Sequence, residues 1–351
     1  MFTIRQISCM LYIVILANLF FWPPQGALVK RRAISPEASQ KYEFREMIEL
    51  AKPQIVFIGN STLREGVEPD QFSQLIGMKT INLVQDGSAS AWWYLALKNV
   101  VLKTSHKPEI VGILFRDHYL TDPSFRVDGT YKWNIEQMAE REEPLLDRLA
   151  YLGRMDTLTY FLLRYCPLFQ KRDRVRAWLD TTIKDKLVSS TMKLKPGFAD
   201  RAIERVFADE NMDKNQLTVR QLKAESLQNN TSYDFKQEVE QSFLPYMIKL
   251  AKDNDINLVF IRLKRRRDTE QGKEPKKLKK YIQDLNGYLS ENDLPFLDFT
   301  HDERIKIEHF DVGDHLAHFR RSNGREVFTQ ILAEGMRPVI RKLQNIRIHS
   351  N

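Results

Sequence analysis

The stretch from Pro53 to Phe72, PQIVFIGNSTLREGVEPDQF, constrains the chain more than any other. Ile55-Val56-Phe57-Ile58 is a continuous β-branched and aromatic run, the pattern of a strand buried on both faces of a parallel sheet. Gly59-Asn60-Ser61-Thr62 breaks that run abruptly. A sharp turn leaving the carboxyl end of a parallel strand places backbone N–H groups and one small hydroxyl at the sheet rim, where open α/β folds bind ligands. Ser61 is that hydroxyl and a candidate nucleophile. The same four residues would also serve as a plain strand-to-helix turn with Asn, Ser or Thr as the N-cap.

The strand-turn-helix pattern recurs. Thr80-Ile81-Asn82-Leu83 leads into Gln85-Asp86-Gly87-Ser88-Ala89, and helical periodicity follows from Ala91 to Leu102. Ile110 to Phe115 forms a third apolar run, ending at Arg116-Asp117-His118-Tyr119. After a long helical and charged stretch come a helix around Phe235 to Asp253, a strand Ile256 to Ile261, a helix carrying Tyr281, Leu285 and Leu289, and a last strand Leu294 to Phe299. A loop containing His309, Asp311, Asp314, His315 and His318 then precedes a closing helix. This alternation predicts a three-layer α/β/α domain with a parallel sheet of about five strands. The expected organisation is an N-terminal apolar segment over 1–28, the first half of the α/β domain over 29–133, a helical insertion over 134–234 and the second half over 235–351. Within the insertion, Val206 to Ser232 is polar and reads as a flexible loop or lid.

FIGNSTLREGVEP, with its strand-Gly-x-Ser order, resembles the first block of the SGNH (GDSL-like) hydrolases, with Asn60 where aspartate is commoner. The resemblance implies Ser61 as nucleophile and its backbone N–H as one oxyanion donor. Gly87 corresponds by position to the glycine whose N–H is a second donor, a place where a Cβ would obstruct the approach of a tetrahedral oxyanion. Arg116 stands where the family would place an asparagine as third donor, and its guanidinium could substitute. The family carries its base and orienting acid in a C-terminal Asp-x-x-His block, and the loop from Asp311 to His318 occupies that place with different spacing. Asp311 lies four residues before His315, while Asp314 adjoins His315 and lies four before His318. The resemblance implies His315 as base and Asp311 as its partner, with His318 and Asp314 left as alternatives. The implied chemistry is acyl-ester hydrolysis or acyl transfer on an acylated polysaccharide or lipid, without metal or organic cofactor. A non-catalytic envelope protein that keeps the fold and binds an anionic polymer is the alternative.

A net charge of +8 and a pI near 9.2 favour anionic partners. No nucleic-acid motif is visible, so the membrane or an acidic polymer is expected instead. Arg265, Arg266 and Arg267 directly follow a core strand and are candidate contacts for an anionic substrate, unless they form a solvated face. The two cysteines, Cys9 and Cys166, form no disulfide framework, and no Cys/His cluster has zinc spacing. Ile7 to Trp22 is uncharged and apolar and reads as a signal peptide or a signal anchor, and the lack of a small-x-small cleavage site favours the uncleaved anchor. The basic residues that follow it, Lys30-Arg31-Arg32, would keep the bulk of the chain in the cytoplasm by the positive-inside count. The hydrolase resemblance implies the extracytoplasmic side instead, with a membrane acyl-donor protein as a further partner.

Overall fold

Five apolar runs become five parallel strands: β1 (Ile55–Gly59), β2 (Thr80–Val84), β3 (Ile110–Phe115), β4 (Asn257–Arg262) and β5 (Phe296–Asp298). Their order across the sheet is β2-β1-β3-β4-β5. The central strands β1 and β3 are buried at every position, which is why both read as unbroken apolar runs rather than alternating ones. β5 is shorter than its apolar run. The Leu294 N–H is spent on the carbonyl of Leu289 at 2.9 Å, closing the preceding helix, and Pro295 has no N–H to give. From β1 the chain steps to β2 on one side and then crosses to β3 on the other. That reversal makes the carboxyl ends of β1 and β3 the switch point of a flavodoxin-like sheet, where a crevice opens.

The computed structural model describes residues 39–127, 129–152, 234–266, 268, 274–310, 315–316 and 323–350. The chain divides into two compact units, Met1–Lys30 with Tyr151–Gln221 and Arg31–Ala150 with Leu222–Asn351. All the described residues except Tyr151 and Leu152 belong to the second. The apolar run Ile7 to Trp22, the loop Val206 to Ser232 and most of the expected helical insertion lie outside the described residues. No described helix is long and apolar enough to cross a membrane.

Successive strand residues point to opposite faces, so each strand feeds two cores. On one face Ile55 and Phe57 of β1, Leu114 of β3 and Val259 and Ile261 of β4 join residues from three helices: α2 (Ser61–Gly66), α3 (Pro69–Ile76) and α9 (Gly324–Ser350). The other face carries α1 (Gln40–Ala51), α4 (Ser90–Leu95) and α7 (Leu244–Lys252), where Phe44 meets Trp92 edge to face and Tyr94 stacks on Phe243. The helix expected from Ala91 to Leu102 is not uniform. After α4 it widens to a π-helix over Ala96–Val100 and tightens to a 3-10 turn over Val101–Lys103. Buried Asn99 lies in the widened turn, where its Nδ2 donates to Met138 O at 2.9 Å and Glu143 Oε1 at 2.7 Å.

Gly112 is the tightest point of the sheet. A Cβ there would lie 2.5 Å from Phe57 Cδ1, and Phe57 is the register partner of Gly112 across β1 and β3. Neither ring nor strand has space to yield. Gly112→Ala is expected to destabilise the domain by about 1–3 kcal/mol, read as a lower urea midpoint with unchanged slope.

Candidate active site

Asn60 organises the turn after β1. Its Oδ1 accepts from Thr62 N at 3.0 Å and from Thr62 Oγ1 at 2.8 Å, which caps α2 and leaves Ser61 as the first residue of that helix. Its Nδ2 donates to Ser88 O at 3.2 Å. The turn after β2 is thereby tied to the turn after β1, and two more bonds reinforce the link: Gln85 N to Gly59 O at 3.2 Å and Ser88 Oγ to Gly59 O at 3.1 Å. Trp93 Nε1 donates to Ser88 Oγ at 3.0 Å and fixes that hydroxyl in turn. Gly87, one residue away, has a φ of +69°, which glycine adopts without strain. Ser61 and Gly87 therefore belong to one hydrogen-bonded rim, although neither sequence run predicts the bonds between them.

His315 reaches this rim from the far end of the chain. Its Nε2 lies 2.9 Å from Ser61 Oγ, across 254 residues of sequence. Two anchors hold it. Leu316 forms an antiparallel bridge with Phe310, and its side chain packs in the core against α2 and α9, where a Cβ on Gly66 would lie 3.6 Å from Leu316 Cδ1 and 3.6 Å from Phe328 Cδ1. Behind it, Thr329 Oγ1 accepts from Glu68 N at 3.0 Å, and Arg325 forms an ion pair with Glu68 at 3.0 Å. Asp311, Asp314 and His318 lie outside the described residues. His309, also in this region, is occupied elsewhere: its Nδ1 accepts from Lys306 N at 3.1 Å and caps a 3-10 turn.

The strand-end cations are arranged differently from the expectation. Arg116 is buried, and its Nη2 donates to Lys264 O at 3.2 Å. With Thr62, Leu263, Lys264, Ile305, Leu316 and Phe328 it lines a small cavity adjoining the neighbours of both Ser61 and His315. Arg265 is buried in an ion pair: its Nη1 donates to Asp117 Oδ2 at 2.6 Å, both groups are buried, and Asp268 lies 3.5 Å from its Nε. Arg262, just upstream, is likewise buried between Asp298, at 3.0 Å, and Glu274. Lys264 donates to Asp302 O at 2.8 Å, and burial lowers its pKa against the opposing pull of Asp302, Asp268 and Glu303. Arg266 is half-buried and Arg267 lies outside the described residues. The physical reason is that a buried charge is tolerated only when answered by a partner, and carboxylates from other strands and loops supply one. Among the described residues no group of three His, Cys, Asp or Glu side chains is gathered for a metal ion.

No protein-family profile and no curated protein matches the chain. Solved structures do align with it. A GDSL-like lipase from Bacteroides thetaiotaomicron overlaps 82% of this chain and 89% of its own, at 12% identity and a TM-score of 0.36. A candidate acylhydrolase from Bacteroides fragilis overlaps 88% of this chain and 99% of its own, at 13% identity and a TM-score of 0.41. Both overlaps are loose.

Asn60 does what an aspartate could not, because only the amide can donate to the Ser88 carbonyl while its oxygen caps α2. An aspartate would gain about 0.3–1 kcal/mol from the helix end. It would also set a buried carboxylate against a carbonyl that has lost its donor, at about 1–3 kcal/mol. The second effect wins. Asn60→Asp is expected to lower stability by about 1–2 kcal/mol in urea unfolding and to slow modification of Ser61 by an active-site probe.

Proposed function

We propose that this chain is a serine-dependent acyl-ester hydrolase, with Ser61 as nucleophile and His315 as general base. The observation that carries the proposal is the 2.9 Å contact between Ser61 Oγ and His315 Nε2 at the switch point of the sheet. A serine hydroxyl is a weak nucleophile until a neighbouring imidazole takes its proton as the bond to the acyl carbon forms. The imidazole then returns that proton to the departing alkoxide, and water repeats the sequence to release the acid. The backbone N–H groups of Ser61 and Gly87 receive the developing oxyanion, each worth about 3 kcal/mol of barrier in such sites. Asp311 orients His315 and stabilises its protonated form.

A sugar hydroxyl in place of water would convert hydrolysis into acyl transfer by the same steps. The acylated polysaccharide or lipid expected as substrate fits a site that needs only an ester carbonyl at the rim. Ile7 to Trp22 tethers the domain to a membrane on the extracytoplasmic side, where a membrane acyl-donor protein would supply a transferase. Retention of the full chain in the membrane fraction through a carbonate wash tests the tether, and release of a shorter soluble chain contradicts it.

A fluorophosphonate probe distinguishes an activated serine from an idle one. Wild type is expected to be labelled once, at Ser61, and Ser61→Ala not at all. His315→Ala is expected to label at least roughly a hundredfold more slowly, the usual scale of general-base assistance. Wild-type labelling no faster than that of His315→Ala would favour a protein that keeps the fold without the chemistry.

A further inference from the structure

Of the cations around the Ser61 rim, most are already engaged. Arg64 pairs with Asp86 at 2.7 Å and with Glu65 at 2.9 Å. Arg265 pairs with Asp117 and Asp268, Arg325 pairs with Glu68, and Arg116 donates to the Lys264 carbonyl. Arg126 differs from all of these. Among the described residues no carboxylate lies within ion-pair distance of it, and its guanidinium is held instead against two aromatic rings, 5.0 Å from the centre of Phe125 and 5.4 Å from that of Tyr131.

Those rings are attached to the site. The Tyr131 ring lies so close over Gly87 that a Cβ on the glycine would sit 2.3 Å from Tyr131 Cε1. Phe125 stacks on Tyr119 with ring centres 4.4 Å apart, and Tyr119 lies four residues beyond the end of β3. Ser90 Oγ donates to Asp122 O at 3.0 Å, binding this loop to the segment that follows Gly87. Tyr119, Phe125, Arg126 and Tyr131 are all half-buried, so the cluster is not sealed from solvent. Arg126 also holds a left-handed backbone, φ +56°, a conformation costly for a residue with a Cβ and concentrated at ligand sites. An arginine stacked on rings is preorganised, because its planar fork is already oriented when an anion arrives.

We propose that Tyr119, Phe125, Arg126 and Tyr131 form a lip that receives the alcohol portion of the ester, a flat ring carrying an anionic group, with Arg126 as the specificity-determining residue. The inference rests on the hydrolase reading for its position beside Gly87. The binding it describes is separable from catalysis. An anion seated on Arg126 places the ring of its carrier against Tyr131, and the ester bond attached to that ring then lies toward Gly87 and Ser61. Arg262 and Arg265, at the end of β4, are already answered by carboxylates inside the fold.

The test compares 4-acetoxybenzoate with its neutral methyl ester on the full chain. For wild type, kcat/KM for the anion is expected to exceed that for the neutral ester. Arg126→Gln should lower the value for 4-acetoxybenzoate roughly tenfold through KM, the scale of one charge-assisted hydrogen bond, and leave the methyl ester within about twofold. Arg126→Lys should fall between, keeping charge without the planar fork. Equal fluorophosphonate labelling of wild type and Arg126→Gln establishes that the fold and Ser61 are intact in the variant. Replacing the carboxylate by phosphate, as 4-acetoxyphenyl phosphate, assigns the anion: whichever substrate loses more on Arg126→Gln carries the native group. If neither ester is turned over by wild type, the hydrolase proposal fails, and binding of 4-hydroxybenzoate and 4-hydroxyphenyl phosphate followed by NMR titration decides this one. Weaker binding of either by Arg126→Gln sustains the lip. Equal binding by both proteins, no binding by wild type, or equal loss on charged and neutral esters overturns it.

Discussion

The packing of α9 against α2 and α3 is the contact on which the Ser61 site depends, because together with the Leu316 bridge to Phe310 it holds the C-terminal histidine at the N-terminal serine. Two kinds of interaction share that contact unequally. Phe328 and Leu332 are almost wholly buried there, each worth about 1.5–3 kcal/mol. The bond from Glu68 N to Thr329 adds about 1 kcal/mol. Apolar burial therefore supplies the adhesion, while Thr329 and Arg325 set the register along the helix. A base must lie within hydrogen-bond reach of its nucleophile, and displacement by a single ångström can cost about a hundredfold in rate. The polar contacts thus matter to the site beyond their share of stability.

Much of the fold was legible in the sequence because buried parallel strands leave a strong trace. β1 and β3 have no exposed face to interrupt with polar residues, so both stand out as runs. The turn after β1 was legible for the same reason, since Gly59-Asn60-Ser61 ends such a run abruptly. The role of Asn60 was not. Its side chain bonds twice to a residue two positions on and once to a residue 28 positions on, and no local pattern announces the more distant partner. The start of β5 was obscured by a similar competition, with Leu294 bonded to the helix before it rather than to the neighbouring strand.

The basic run after β4 shows the opposite case, a strong local signal with a different meaning in three dimensions. Consecutive arginines and lysines usually mark solvated surface. Here the partners of Arg262 and Arg265 come from β5, from Glu274 and from the loop after β3, the last 148 residues away. Asp117 meets Arg265 only because β3 and β4 are neighbours in the sheet, which their order in the chain does not reveal. Conversely, Arg126 stands alone in sequence and attracts no notice there. What singles it out is the pair of rings beneath it, and stacking of this kind has no spacing rule.

The long separation between Ser61 and His315 also has a consequence in time. A chain made from its N-terminus at roughly 5–20 residues per second presents the serine about 13 to 50 s before the histidine exists. Throughout that interval the hydroxyl has no base, and the apolar face of the sheet that α9 will cover is open. Any nascent chain stalled or truncated before residue 324 would carry Ser61 beside an uncovered hydrophobic surface, a species suited to capture by a chaperone. Vectorial synthesis therefore acts as a built-in delay, and Ser61 and His315 first meet when the last helix closes over the sheet.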